Sequence, residues 1–193
     1  MGKRSNFAVA CLFTLVLGNT GCTSQTVTSQ VSTSSTNAET LSLKPVQVTL
    51  KNGQGATVGT AVLSPTAEGT RLSVEVSGLK PGAHGIHFHE FGKCEPPDFK
   101  TAGGHLNPVS KQHGLENPLG PHAGDLPNLQ VGADGKGMMD IVSTRVRLGK
   151  GTPNALQKEG GSSLIIHEGP DDQKTDPSGN SGARLLCGVI PAL

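Results

Sequence analysis

The chain has 193 residues, which is enough for one medium-sized domain and an appendage. Its formal net charge of +1 gives no basis for binding nucleic acid or for seeking an anionic surface. Glycine (27) and proline (13) are abundant, and Trp and Tyr are absent. This composition points to many short strands joined by turns and away from long helices.

The N-terminus reads as an address. Lys3 and Arg4 form a basic start, and Phe7 to Gly18 is an almost unbroken apolar run. That run is too short to span a bilayer and suits the core of a signal peptide, assigned to residues 1–21. Gly21-Cys22 follows at once, and a small residue before Cys is what lipoprotein processing uses, so Cys22 is the expected lipidation site. Asn19 departs from that signal, which favours an aliphatic residue there. The expected location is extracytoplasmic, anchored to the membrane through Cys22, or secreted or periplasmic without the lipid. Removing residues 1–21 takes two lysine or arginine charges and no acid, leaving a net charge of −1. Any attraction of an anion must therefore come from local placement.

From Thr23 to Thr40, 11 of 18 residues are Ser or Thr. Such a tract cannot bury enough apolar surface to offset its ordering entropy, so residues 22–40 read as a tether. The folded domain is expected over 41–193. Val46, Val48 and Leu50 alternate with polar neighbours as on a half-buried strand, and Asn52-Gly53 signals a turn. A second strand is expected from about Ala56 to Leu63, and a third around Leu72, Val74 and Val76, closed by Gly78 and Pro81-Gly82. After the Asp134-Gly135 turn come Met138 to Leu148, then Leu164 to His167, then Leu185 to Ile190. The pattern predicts an all-β antiparallel sandwich or barrel. Two stretches interrupt it: Lys93 to Leu129, rich in Pro, Gly and His, and the polar segment Glu168 to Ala183. Connections of that length in a compact domain are usually functional or disordered.

Seven histidines lie between residues 84 and 167: His84, His87, His89, His105, His113, His122 and His167. His87 and His89 share one face of an apparent strand, with Phe88 on the other. His122 and Asp125 offer an imidazole and a carboxylate three residues apart, and His105 follows a pair of glycines that let the backbone turn tightly. Imidazole suits copper and zinc, and a carboxylate beside three imidazoles favours zinc. Six of these histidines and Asp125 give seven side chains, whereas two four-coordinate ions need eight contacts. A shared imidazolate or a water ligand would each supply the eighth. In an exported protein, Cys94 and Cys187 are an even pair that could be bridged or left as buried thiols.

His84-Gly-Ile-His-Phe-His89, Gly103-Gly-His-Leu-Asn-Pro108, His122-Ala-Gly-Asp-Leu126, His167-Glu168 and Gly179 to Ile190 resemble, in order, the signatures of the bacterial copper/zinc superoxide dismutases. The likeness covers roughly Leu43 to Ile190. It implies a Greek-key, eight-stranded β-barrel with two long functional loops. It implies copper on His87, His89, His105 and His167, and zinc on His105, His113, His122 and Asp125, with His105 as the bridge. Asp171 would hydrogen-bond one ligand of each metal, His84 would brace the barrel beneath copper, and Cys94–Cys187 would tie the zinc-bearing loop to a barrel strand. The implied reaction is dismutation of superoxide to dioxygen and hydrogen peroxide, with Arg184 drawing the anion toward copper. Ser178 stands where many relatives carry Thr at the channel mouth. Because the loop to Arg184 is shorter than in eukaryotic relatives, Lys111 and Lys174 are further candidates for guidance, or plain solvated charges. Monomer and homodimer both remain open. Two other classes fit less well: a metal carrier would be expected to lack a copper ligand, and a zinc hydrolase would need an open zinc position.

Overall fold

A computed structural model describes residues 43–193. The expected signal peptide, Cys22 and the expected tether lie outside the described residues. Within them run nine strands: β1 Val46–Asn52, β2 Thr57–Pro65, β3 Thr70–Val76, β4 Gly82–His84, β5 Ile86–His89, β6 Leu129–Val131, β7 Gly137–Ser143, β8 Ser162–His167 and β9 Arg184–Ile190. One 3-10 turn, Lys100–Ala102, is the only helical element among them. All the pairings between these strands are antiparallel, in the order β4-β6-β7-β3-β2-β1-β9-β8-β5. The two outermost strands of that order, β4 and β5, are consecutive in the chain and separated by Gly85 alone. One extended segment thus leaves one edge and enters the other, closing the sheet into a barrel. Counted as one strand, β4 and β5 give the eight expected from the sequence.

Alternation builds the interior. Val48 and Leu50 from β1, Ala61 and Leu63 from β2, Leu72 and Val74 from β3, and Phe88 from β5 meet Leu164 and Ile166 from β8, all essentially fully buried. Each such Leu, Ile or Phe contributes about 1.5–3 kcal/mol over its exposed state. On the outer face, Arg71 of β3 pairs with Asp140 of β7. The strand expected over Met138 to Leu148 ends at Ser143. Beyond it the chain turns into a third long connection, 144–161, which sequence periodicity does not separate from the strand. The short β4 and β6 also carry too few residues for alternation to register.

The connection 90–128 does not hang free. It folds back along β5, where His87 pairs with Asp125 and His89 with His105 as isolated antiparallel bridges. Phe88 donates its N–H to Gly124 O at 3.0 Å, and Phe88 O accepts from Leu106 N at 2.8 Å. The approach is so close that a Cβ on Gly124 would lie 2.2 Å from Phe88 O, so only glycine fits there. A second small apolar cluster, Phe99, Ala102, Ile165 and Cys187, pins the first half of this loop to β8 and β9. Beside it Cys94 and Cys187 form a disulfide, 93 residues apart.

Candidate metal centre

Six of the seven histidines converge with Asp125 into two adjoining clusters. His87, His89, His105 and His167 form one; His105, His113, His122 and Asp125 form the other. Within each, the donor atoms lie within 4.8 Å of one another and every residue is buried. His105 belongs to both. β5 supplies His87 and His89, β8 ends on His167, and the long loop supplies the rest.

The all-imidazole cluster is prepared for a metal by its tautomers. His87 donates from Nε2 to Asp171 Oδ2 at 2.7 Å, His89 from Nδ1 to Gly103 O at 3.0 Å, and His167 from Nδ1 to Gly182 O at 3.3 Å. His105 donates from Nδ1 to Asp125 Oδ1 at 2.9 Å. Each acceptor fixes the proton on one nitrogen and leaves a lone pair on the other. The remaining atoms, His87 Nδ1, His89 Nε2, His105 Nε2 and His167 Nε2, are buried without any hydrogen-bond partner. Four inward lone pairs with no donor among them would be costly unless a cation took them. Burial, the main cause in each case, pushes these rings toward the neutral form: His105 down to about 4, His167 to about 3, and His87 and His89 also downward.

The second cluster is organised around a carboxylate. Asp125 Oδ1 lies 2.9 Å from His105 Nδ1, 3.0 Å from His113 Nδ1 and 3.3 Å from His122 Nδ1, and the Nδ1 atoms of His122 and His105 are 3.5 Å apart. A tetrahedron with bonds of 2.0–2.1 Å has edges of about 3.3 Å, so these donors already stand near the corners of a zinc site. Asp125 Oδ2 accepts from Gly114 N and His122 N, both at 2.9 Å. Burial pushes the Asp125 carboxyl up, but its His and backbone donors outweigh that and hold it well below the usual carboxylate range.

Asp171 links the clusters. Its Oδ2 accepts from His87, and its Oδ1 accepts from His113 Nε2 at 2.9 Å and Gln173 N at 2.6 Å. Gly179 adopts φ +62, and a Cβ there would lie 1.8 Å from Asp171 Oδ1, so the loop closes over this carboxylate only through glycine. Asn128 holds the Asp171 main chain with a reciprocal pair of 2.8 Å bonds, a contact the sequence does not signal. His113 stands between two carboxylates. Burial lowers its pKa, but Asp125 and Asp171 together raise it to about 9. His84, at the end of β4, sets Nδ1 2.7 Å from His167 O and Nε2 2.9 Å from Lys80 O.

Above the clusters opens a cleft of about 600 Å³, lined by His89, His105, His122, His167, Ser178 and Arg184 among others. Arg184 begins β9 and is half-buried, donating from Nη1 to Phe99 O and from Nη2 to Gly103 O, both at 2.7 Å. Gly103 O therefore serves His89 and Arg184 together. Lys111 lines the same cleft, whereas Lys174 lies outside its lining, paired with Glu116 at 2.9 Å.

A closed β-barrel carrying an all-imidazole cluster beside a three-imidazole, one-carboxylate cluster is the framework of a protein for two transition-metal ions. The sequence matches the copper/zinc superoxide dismutase (SODC) family over residues 57–190. It is 50% identical over 140 residues to superoxide dismutase (Cu-Zn) 1 of Aquifex aeolicus (strain VF5), covering 72% of this chain and 83% of that one. It is 45% identical over 143 residues to superoxide dismutase (Cu-Zn) of Caulobacter vibrioides, covering 73% and 82%. Among solved structures, a double mutant of a superoxide-dismutase-like protein from Bacillus subtilis superposes with a TM-score of 0.74 at 46% identity, covering 76% of this chain and 97% of that one. The chain belongs to the copper/zinc superoxide dismutase family. Its cofactors are copper and zinc, and its substrate is superoxide.

Proposed function

We propose that His87, His89, His105 and His167 hold the copper, that His105, His113, His122 and Asp125 hold the zinc, and that His105 serves both ions. One observation carries this reading: four buried imidazole nitrogens face one another without a partner, on His87, His89 and His167 the lone-pair side of a tautomer fixed from behind, and on His105 the side opposite the Nδ1 whose proton zinc would replace. When bound, copper supplies a one-electron couple that oxidises one superoxide to dioxygen and reduces a second, with two protons, to hydrogen peroxide.

The chain's own residues do the rest. Asp171 fixes the rings of His87 and His113 from behind, so a ligand of each cluster keeps its orientation through a single carboxylate. His84 braces the end of β8 through the His167 carbonyl. Arg184 presents a permanent positive charge at the cleft beside His89 and His167, where it draws in and orients the anion. The Phe99 and Gly103 carbonyls hold that charge in place, and the disulfide and its apolar cluster hold Phe99.

The same reading places the enzyme outside the cytoplasm, tethered through a lipid on Cys22, where it removes superoxide from the cell envelope. Its support is the basic and apolar start of the chain, Gly21-Cys22, and a disulfide of the kind that persists in oxidising compartments.

Metal analysis joined to a superoxide-consumption assay tests the assignment. Protein stripped of metal and reloaded with zinc alone is expected to be inactive, and adding copper should restore activity at one copper and one zinc per chain. Zinc-only protein as active as the doubly loaded form would refute it.

A further inference from the structure

The connection 144–161 contributes no residue to either cluster, yet one of its side chains reaches Asp125. Arg145 donates from Nη2 to the Asp125 main-chain carbonyl at 2.6 Å. The segment around it is firmly built. Arg147 and Ala155 pair as a parallel bridge, Asn154 Nδ2 donates to Arg145 O at 2.7 Å, and Val146, Leu148, Ala155 and Leu156 are buried. Arg145 is thus displayed from a rigid base. Its Nε is buried without a hydrogen-bond partner. A guanidinium that leaves a buried donor unsatisfied is a poor choice for merely covering surface. What it gains is a charge-assisted bond to one particular carbonyl.

That carbonyl belongs to the residue on which the second cluster converges. The other anchors of Asp125 come from its own loop, Gly114 N and His122 N, and from the bridge to His87 on β5. Arg145 is the anchor that arrives from a different connection, and so ties the loop to a part of the chain other than β5. We propose that Arg145 is a positioning residue for zinc. By fixing the Asp125 main chain it keeps Oδ1 at the meeting point of the three Nδ1 atoms, and this sets how tightly zinc is retained. The inference rests on the assignment of zinc to His105, His113, His122 and Asp125.

Charge and geometry make opposite predictions here, which makes the idea testable. A cation beside a cation site opposes metal binding, so if charge alone mattered, removing it would tighten zinc. If positioning dominates, removing it loosens zinc by the roughly 10–100-fold typical of groups that orient a ligand. The experiment titrates metal-free full chain with Zn²⁺ against a chromophoric chelator, and with Co²⁺ to record the visible absorption of the site. The variants are R145M, R145K and, from the same connection, R147M, since Arg147 donates to the Glu68 carbonyl instead. Zinc affinity should fall at least tenfold in R145M and at least threefold in R145K, with R147M within twofold of wild type. The Co²⁺ spectrum should change in R145M and not in R147M. Should R145M fail to fold by thermal unfolding, R145K carries the test. Zinc as tight as wild type in R145K or R145M, or equal loosening in R147M, overturns the proposal. Wild type that takes up no zinc defeats the underlying assignment instead.

Discussion

The two clusters share His105 but are built by different means. His87, His89 and His167 stand on β5 and β8, and the ladder pairs His87 with Ile165 and Phe88 with Leu164. Barrel register therefore decides where those rings point. His113, His122 and Asp125 lie wholly in the 90–128 connection, where no ladder fixes them. They depend on anchors: the bridges to β5, Asp171, Arg145, and the Cys94–Cys187 disulfide. Loop closure at that separation is worth roughly 4–5 kcal/mol on chain entropy. The strand-borne cluster turns nitrogens without a hydrogen-bond partner toward one another, while the loop-borne one is held by hydrogen bonds onto a carboxylate. Site rigidity thus comes from the sheet in one case and from polar cross-ties in the other.

The strongest way to break the contrast is to remove the shared ring. His105→Ala should abolish copper-dependent activity, by more than the roughly 100-fold upper cost of losing an orienting group, and should weaken both metals together. His89→Ala should cost as much activity yet leave zinc retention within about twofold. Metal content measured beside activity checks this, and a His105→Ala protein that kept full zinc would separate the clusters entirely.

A smaller effect concerns the approach of the substrate. Arg184→Ala should slow turnover per unit substrate about tenfold, equivalent to 1.4 kcal/mol, and should flatten the fall of rate with added salt. Stopped-flow rates across a series of ionic strengths decide it; unchanged rate and salt slope would remove Arg184 from the mechanism.

The gentlest probe is pH, read on metal-free protein. His105 and His167 stay neutral in the fold down to about 4 and about 3, whereas in the unfolded chain they take protons near 6.5. The unfolded state then binds more protons, so stability falls as pH drops from about 6.5 toward 4, by up to about 1.4 kcal/mol per pH unit for each ring. His113 acts in the opposite sense. Its folded pKa of about 9 contributes stability that is complete below about 6.5 and lost as pH rises through 9. Melting temperatures of metal-free protein should therefore decline on both sides, and His113→Gln should remove the alkaline decline alone. A melting curve indifferent to pH between 6.5 and 9.5 would show that His113 is not held between its two carboxylates.

Much of this was legible in the linear chain because it is local. His87 and His89 share a face through the two-residue period of a strand. His122-Ala-Gly-Asp125 sets its imidazole and carboxylate within one turn of loop. The alternation of Val46, Val48 and Leu50 declares β1. The motifs around them carried the likeness to a family, and with it the expectation of two metals. The strand ending at Ser143 and the short β4 and β6 escaped because three residues, or a drift into irregular backbone, leave no periodic trace.

What folding alone decided is the set of polar cross-ties between distant groups that no motif announces. The partner of Arg145 lies 20 residues away, that of Asn128 lies 43 away, and Arg184 meets the Phe99 carbonyl across 85. None of these pairings follows a local spacing rule, because main-chain carbonyls carry no sequence signature and a buried ring shows which nitrogen is bare only once its neighbours surround it. The amino-acid order determined which donors are available. The closed barrel and the loop laid along β5 determined which of them meet, since burial makes each unsatisfied polar atom costly and so selects one arrangement of partners.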